Sequence, residues 1–214
     1  MDLFSELEQQ APREFKKHSL QDGEVWVMKN FMSPTEARKY FKILNDTINW
    51  KQEEITFYGK THRVPRKTAW YGYEGVNYTY SGISCNPDPW TSQLMDIKKD
   101  IESFMLEDEV NSVLHFNSVL LNLYRDGNDK VGWHADDEKD LGVNPTIASL
   151  SLGTARFFDL KHKDNPALKM RIELTPGSLV IMTGELQHHW LHQIPVQKKV
   201  KEARINLTFR TIVS

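Results

Sequence analysis

Disulfide bonds are excluded at the outset, because the 214 residues contain one cysteine, Cys85. A single thiol cannot close an internal bridge, so stability has to come from a packed core. It also fits a reducing compartment, with the cytosol as the expected location. No apolar run approaches the roughly 18 residues of a membrane span, so no membrane association is expected. The first residues, Met1-Asp2-Leu3-Phe4-Ser5-Glu6, lack the basic-then-apolar order of a secretory leader. Neither sign of charge dominates: the net charge is −2, which argues against a protein held to nucleic acid by bulk electrostatics. Internal repeats, low-complexity tracts and dividing linkers are absent too. The expectation is a mobile segment over 1–22, then a single domain over 23–214, acting as a monomer.

Local composition departs from that neutral average. Lys60, His62, Arg63, Arg66 and Lys67 crowd one segment, and Lys198, Lys199 and Lys201 another. Read alone, either run is a solvated face. Two basic patches on a neutral chain suit transient, searching contact better than tight coating.

The helical signals come first. Ser33-Pro34 reads as an N-cap followed by proline at the first helical position, with Ala37, Phe41 and Leu44 at helical spacing. A second helix is expected from Trp90 to Leu106, with Leu94, Ile97, Ile101 and Phe104 or Met105 as its apolar stripe. Val25–Met28 reads as a short strand. Strand patterns then accumulate at 116–124, 147–152, 155–160, 170–174, 178–182 and 204–213, with Pro176-Gly177 as a turn. The fold expected is α+β but mainly β, a β-sandwich or a jelly roll (double-stranded β-helix) buttressed by N-terminal helices.

His134-Ala135-Asp136 places an imidazole and a carboxylate two positions apart, which on an extended strand points both the same way. Alone the pair is weak, and it reads equally as surface neighbours. His192, at about the separation a jelly roll needs, supplies a third ligand. His188 and His189, beside Gln187, compete for that place but are expected to face solvent or substrate. Two histidines and one carboxylate with open positions suit a non-haem Fe(II) oxygenase. Arg204 and Arg210, six positions apart, share a strand face with Asn206 and Thr208, while Ile205, Leu207 and Phe209 point oppositely. Such a face is either a wet edge or the wall of a polar pocket. Guanidinium groups pair with carboxylates through two charge-assisted bonds, which suits a dicarboxylate cosubstrate. Asn122 and Tyr124 are candidates for the same cavity.

These motifs, together with Ile147-Ala148-Ser149-Leu150-Ser151-Leu152-Gly153, resemble the AlkB-type Fe(II)/2-oxoglutarate-dependent dioxygenases over roughly Phe57 to Val213. The resemblance implies iron held by His134, Asp136 and His192. It implies 2-oxoglutarate bound by Asn122, Tyr124, Arg204, Asn206, Thr208 and Arg210, with Arg204 on the distal carboxylate and Arg210 near the iron-bound end. The activity implied is oxidative demethylation of bases such as 1-methyladenine and 3-methylcytosine. O2 is consumed, and succinate, CO2 and formaldehyde are released. The target atoms lie on the pairing edge, so a duplex nucleotide has to be flipped out.

The same resemblance makes residues 55–82 a nucleotide-recognition lid. Trp70, Tyr78, Thr79 and Tyr80 would meet the base, since bases stack on such rings. Asp137 and Glu138 would bond an exocyclic amino group; read alone they are a solvated acidic turn. Tyr58, Gly59 and Lys60 resemble the hairpin that wedges a ring into duplex DNA in the double-strand-preferring member. Val196–Val200 resembles that member's basic loop, with Gln197 in place of an arginine. The implied partner is alkylated DNA, duplex and single-stranded. The alternatives are an RNA demethylase of the same chemistry and a non-catalytic nucleic-acid binder on the same scaffold.

Overall fold

The computed structural model describes residues 13–57, 60–76, 78–80, 83–107 and 115–213. Strands β1 (Lys16–Leu20) and β2 (Gly23–Met28) form a hairpin, followed by helix α1 (Pro34–Thr47). Short strands β3 (Glu54–Phe57), β4 (Lys60–Arg63), β5 (Lys67–Gly72), β6 (Tyr78–Tyr80), β7 (Ile83–Cys85) and β8 (Asp88–Pro89) lead to α2 (Ser92–Glu107). The second half is β9 (Ser118–Tyr124), β10 (Val131–His134), β11 (Ile147–Gly153), β12 (Arg156–His162), β13 (Lys169–Leu174) and β14 (Leu179–Thr183), then the one-turn helix α3 (Leu186–His189), β15 (Trp190–Ile194) and β16 (Arg204–Arg210). β1 falls inside the segment expected to be mobile, and it pairs with β2 along its whole length.

Two sheets make the body. The larger has the order β1-β2-β14-β11-β16-β9-β5-β8 and the smaller β10-β15-β12-β13. The crossed order and the antiparallel pairing of β11, β14, β16 and β9 give a jelly-roll core, one of the two architectures that the strand density suggested.

Helices cover one face of the large sheet. α1 starts as its sequence suggests: Ser33 accepts from the Glu36 amide, and the Glu36 carboxylate accepts from the Ser33 amide. Such a cap contributes about 1 kcal/mol. The stripe Leu94, Ile97, Ile101 and Met105 of α2 packs with Leu44 against Leu121, Leu150, Ile205, Leu207 and Phe209 of the sheet. A second apolar cluster, including Phe158, Leu160, Ile181's neighbours Val180 and Met182, Trp190 and Ile194, fills the closed part of the space between the sheets.

One charged side chain holds two loops onto this frame. Arg156 is 1% exposed, and its guanidinium donates to the carbonyls of Asp126, Asp129 and Pro195 and to Gln197 Oε1. Gln197 Oε1 also accepts from the Phe157 amide. This gives the Gln197 departure a physical reason, since arginine has no acceptor to offer at that point. At Gly127 an added Cβ would collide with the Gln197 carbonyl, so the two loops touch through backbone. Replacing Arg156 by Met strands several buried carbonyls. The expected loss is about 3 kcal/mol, read as a fall of roughly 6–12 °C in melting temperature.

Candidate metal centre

β10 and β15 are antiparallel neighbours, and their register sets His134 directly opposite His192. The rings meet edge to face, 4.3 Å between centroids. Asp136 lies past the end of β10 rather than on it, so the strand argument places only His134. The carboxylate arrives from coil, and ligand atoms of the three side chains lie within 4.8 Å of one another. His188 is exposed and His189 joins a different cluster, so His192 is the histidine that completes this group.

The hydrogen bonds leave metal-ready atoms pointing inward. His134 Nδ1 lies 2.9 Å from the Gly132 carbonyl, which can only accept, so Nδ1 carries the proton and Nε2 keeps its lone pair. Burial pushes the His192 imidazole down to about 3, against the opposing pull of Asp136, which keeps it neutral. Burial alone would push the Asp136 carboxyl up. The Arg210 guanidinium beside it outweighs that cost and holds the group below the usual carboxylate value. Arg210 Nη2 donates to Asp136 Oδ2 at 2.7 Å, while Oδ1 faces His134 Nε2 at 3.8 Å. One carboxylate oxygen is engaged and the other is turned to the histidines, which fits a divalent metal bound on one side only. The His134 side chain is 37% exposed, so the centre opens to solvent on that edge.

A second cluster, Asp22, His162 and His189, has similar spacing and opposite chemistry. His162 Nδ1 accepts the amides of Asp164 and Asn165, so its proton sits on Nε2, which donates to Asp22 at 3.2 Å. Neither ring nitrogen is left for a metal. This cluster clasps the β1–β2 turn to the end of β12.

Beside the metal-ready group runs a polar track. β16 is buried along its whole length, which removes the wet-edge reading. Its register sets Arg204 opposite Tyr124 and Asn206 opposite Asn122 on β9, and Asn206 opposite Ser151 and Thr208 opposite Ser149 on β11. Arg204 Nη2 donates to Ser151 Oγ (2.8 Å) and Asn206 Oδ1 (2.7 Å), and Asn206 Nδ2 donates to Thr208 Oγ1 (2.7 Å). Arg204 is 1% exposed, and burial lowers its guanidinium to about 10, still charged at neutral pH. Its Nε and Nη1 have no hydrogen-bond partner among the described residues, although the Tyr124 phenol is near enough to favour the charged form. Unmatched N–H donors on a buried cation are costly unless an anion occupies the space beside them. The donor set therefore fits a carboxylate ligand.

The comparisons with known proteins agree with this arrangement. A family model described as "2OG-Fe(II) oxygenase superfamily" matches residues 24–210. The chain is 42% identical over 190 residues to the DNA oxidative demethylase ALKBH2 of Homo sapiens, covering 83% of this chain and 69% of the relative. It is 40% identical over 197 residues to the alpha-ketoglutarate-dependent dioxygenase alkB homolog 3 of Bos taurus, covering 88% of this chain and 66% of the relative. The chain belongs to the AlkB family of 2OG-Fe(II) oxygenases. It spans about two thirds of the length of the curated relatives it matches. Family membership implies Fe(II), 2-oxoglutarate and O2. In fold it is similar to the solved structure of OsALKBH1, with a TM-score of 0.57 at 16% identity over 92% of this chain and 100% of that one.

The remaining expected residues of this AlkB-family chain are spread over several elements. Trp70 is half-buried on β5 and packs against Leu141 and Ile212. Asp137 is exposed and pairs with Lys163 at 3.3 Å. Glu138 Oε2 is buried without a hydrogen-bond partner among the described residues. Tyr58 and Gly59 lie outside the described residues; the backbones of Lys60, Tyr78, Thr79 and Tyr80 fall in β4 and β6. No helix among the described residues is long and apolar enough to cross a membrane.

Sequence reasoning missed Ser149, Ser151, Arg66 and Gln187. The two serines left a signal, polar residues at alternate positions of an apolar strand. Arg66 Nε donates to Asn122 Oδ1 at 2.6 Å, a bond between residues 56 positions apart that no local pattern announces. Gln187 looked like a loop residue and is 1% exposed. The Arg210–Asp136 pair yields a direct expectation. Arg210→Met leaves a buried carboxylate without its cation, costing about 3–5 kcal/mol at neutral pH, measured by denaturant unfolding of the metal-free protein.

Proposed function

We propose that the protein is a DNA repair dioxygenase that oxidatively removes alkyl groups from bases such as 1-methyladenine and 3-methylcytosine. The observation that carries this reading is the convergence of His134, Asp136 and His192 beside a buried cationic track ending on Arg204. Relatives named as DNA oxidative demethylases at about 40% identity support DNA as the substrate.

His134 Nε2, Asp136 Oδ1 and His192 would hold Fe(II). Arg204 would take the far carboxylate of 2-oxoglutarate, with Ser151 and Asn206 fixing the guanidinium plane. Asn122, Tyr124 and Thr208 would line its chain. Arg210 keeps Asp136 ionised and stands at the metal-side end. When bound, Fe(II) with 2-oxoglutarate and O2 supplies the oxidation that hydroxylates the N-methyl group, and the hydroxymethyl product leaves as formaldehyde. The protein's own share is to orient both ligands and exclude water from the track. Glu138 would accept an exocyclic amino N–H of a flipped base, a role supported by its Oε2 being buried without a hydrogen-bond partner among the described residues. Asp137, tied to Lys163, is less available for that role. Residues 55–82 would form the lid over the base, with Trp70, Tyr78, Thr79 and Tyr80 meeting it and with Tyr58, Gly59 and Lys60 as the duplex-probing hairpin. A domain over 23–214, duplex as well as single-stranded DNA as partners, a monomeric state and action in the cytosol complete the reading.

Formaldehyde release on methylated single-stranded DNA, duplex DNA and RNA tests the proposal. Release from DNA is expected to exceed release from RNA, and His134→Ala, Asp136→Ala and His192→Ala are each expected to abolish it in folded protein. Release confined to RNA would replace the DNA reading with its alternative; none from any substrate would favour a non-catalytic binder.

Arg204→Lys keeps the charge and loses the planar fork. It is expected to weaken 2-oxoglutarate binding roughly ten-fold or more, by titration of the metal-loaded protein. Unchanged affinity would remove Arg204 from the site.

A further inference from the structure

Asp136 is a coil residue, and nothing in the strand ladder explains why its carboxylate is aimed at the two histidines. The β10–β15 pairing ends at His134 opposite His192. Beyond it the Asp136 amide is buried and has no backbone acceptor, so something else must take its hydrogen. Gln187 Oε1 does, at 2.9 Å.

We propose that Gln187 is a positioning residue of the metal centre, holding the Asp136 backbone so that the carboxylate presents one oxygen to the metal. The inference rests on the assignment of His134, Asp136 and His192 as ligands.

Several features make the Gln187 contact directional rather than mere filling. The amide orientation is set by chemistry, because an amide N–H facing the Asp136 N–H would repel it. The outward half, Nε2, is turned to Met182 Sδ at 3.6 Å, a weak acceptor that gives the opposite orientation no benefit. The side chain is 1% exposed, so water does not compete. Gln187 sits on α3, immediately before the strand that carries His192, and thereby ties the carboxylate's loop to the second histidine's strand. Lys163 reinforces this tie, since its Nζ donates to the Gln187 carbonyl (3.1 Å) and to Asp137 Oδ2 (3.3 Å). Asp136 is thus held at two points, its amide by Gln187 and its Oδ2 by Arg210. With both fixed, Oδ1 is the oxygen left for a ligand. Groups that orient a metal ligand in this way typically influence affinity by 10–100-fold.

The test uses the metal-free full chain titrated with Co(II), a stand-in whose visible ligand-field bands report both occupancy and geometry. Gln187→Met keeps the length and apolar stem but removes the acceptor; Gln187→Glu keeps an acceptor oxygen. Folded fraction is measured by circular dichroism before each titration, and affinities refer to folded protein. Gln187→Met is expected to bind Co(II) roughly 10–100-fold more weakly with altered bands, and Gln187→Glu to recover most of that loss. Wild-type affinity and bands in Gln187→Met would overturn the proposal. Equal weakening in both variants would also overturn it, by assigning the effect to lost packing. If Gln187→Met does not fold, Gln187→Asn, one methylene too short to reach, takes its place with the same expectations. His134→Ala is the control for the underlying assignment. Retained Co(II) bands there would sink the ligand set itself, whatever Gln187 does.

Discussion

β16 is buried on both faces, and a pleated strand must send alternate side chains to opposite sides. Ile205, Leu207 and Phe209 go to the helices and the main core. Arg204, Asn206, Thr208 and Arg210 go to the space between the sheets, where water cannot compensate them. The rest of the site follows from that requirement. Ser149, Ser151, Asn122 and Tyr124 stand opposite on the flanking strands because buried donors need acceptors nearby. Asp136 is drawn to Arg210 for the same reason.

That constraint also separates the two ends of the cavity. At one end a neutral imidazole, a half-exposed imidazole and an ionised carboxylate meet, a donor set for a hard or borderline divalent cation. Along the track the donors are nearly all N–H and O–H groups around a buried cation, a set for an anion. Opposite ligand demands side by side suit a metal and an acidic cosubstrate. The contrast with Asp22, His162 and His189 is instructive, because similar residue types at similar spacing fail as a metal site. There the backbone amides of Asp164 and Asn165 take the lone pair that a metal would need.

Much of the fold was legible locally. The Ser33-Pro34 cap, the Leu94, Ile97, Ile101 and Met105 stripe, and the apolar–polar alternation of Arg204–Arg210 each report geometry within a few residues, and the structure places the two expected helices and most of the expected strands within about two residues, while the short strands β3 to β8 had no local pattern to announce them. The polar face of β16 was ambiguous between edge and pocket, because burial depends on what lies across the sheet. His-x-Asp fits period two and so suggests a strand through Asp136, whereas β10 stops at His134 and the alignment is made by distant groups. Arg66 on Asn122, Gln187 on the Asp136 amide and Arg156 across two loops were invisible, since each bond joins residues far apart in the chain.

The residue types alone determined the chemistry: two imidazoles and a carboxylate for a metal, guanidinium groups for a dicarboxylate, and an alternating strand that must present them on one face. Those are properties of side chains and of the pleat, and they travel with the sequence. Only the tertiary structure decided which histidine stands beside His134 and Asp136, whether the polar face of β16 is buried, and which nitrogen of His134 carries a proton. Register across β10 and β15 chose His192 over His188 and His189. Burial set the charge states, and single hydrogen bonds to Gly132 and Gln187 and from Arg210 fix how His134 and Asp136 are oriented. Such choices belong to the fold because desolvation and hydrogen bonding depend on neighbours brought together across the chain.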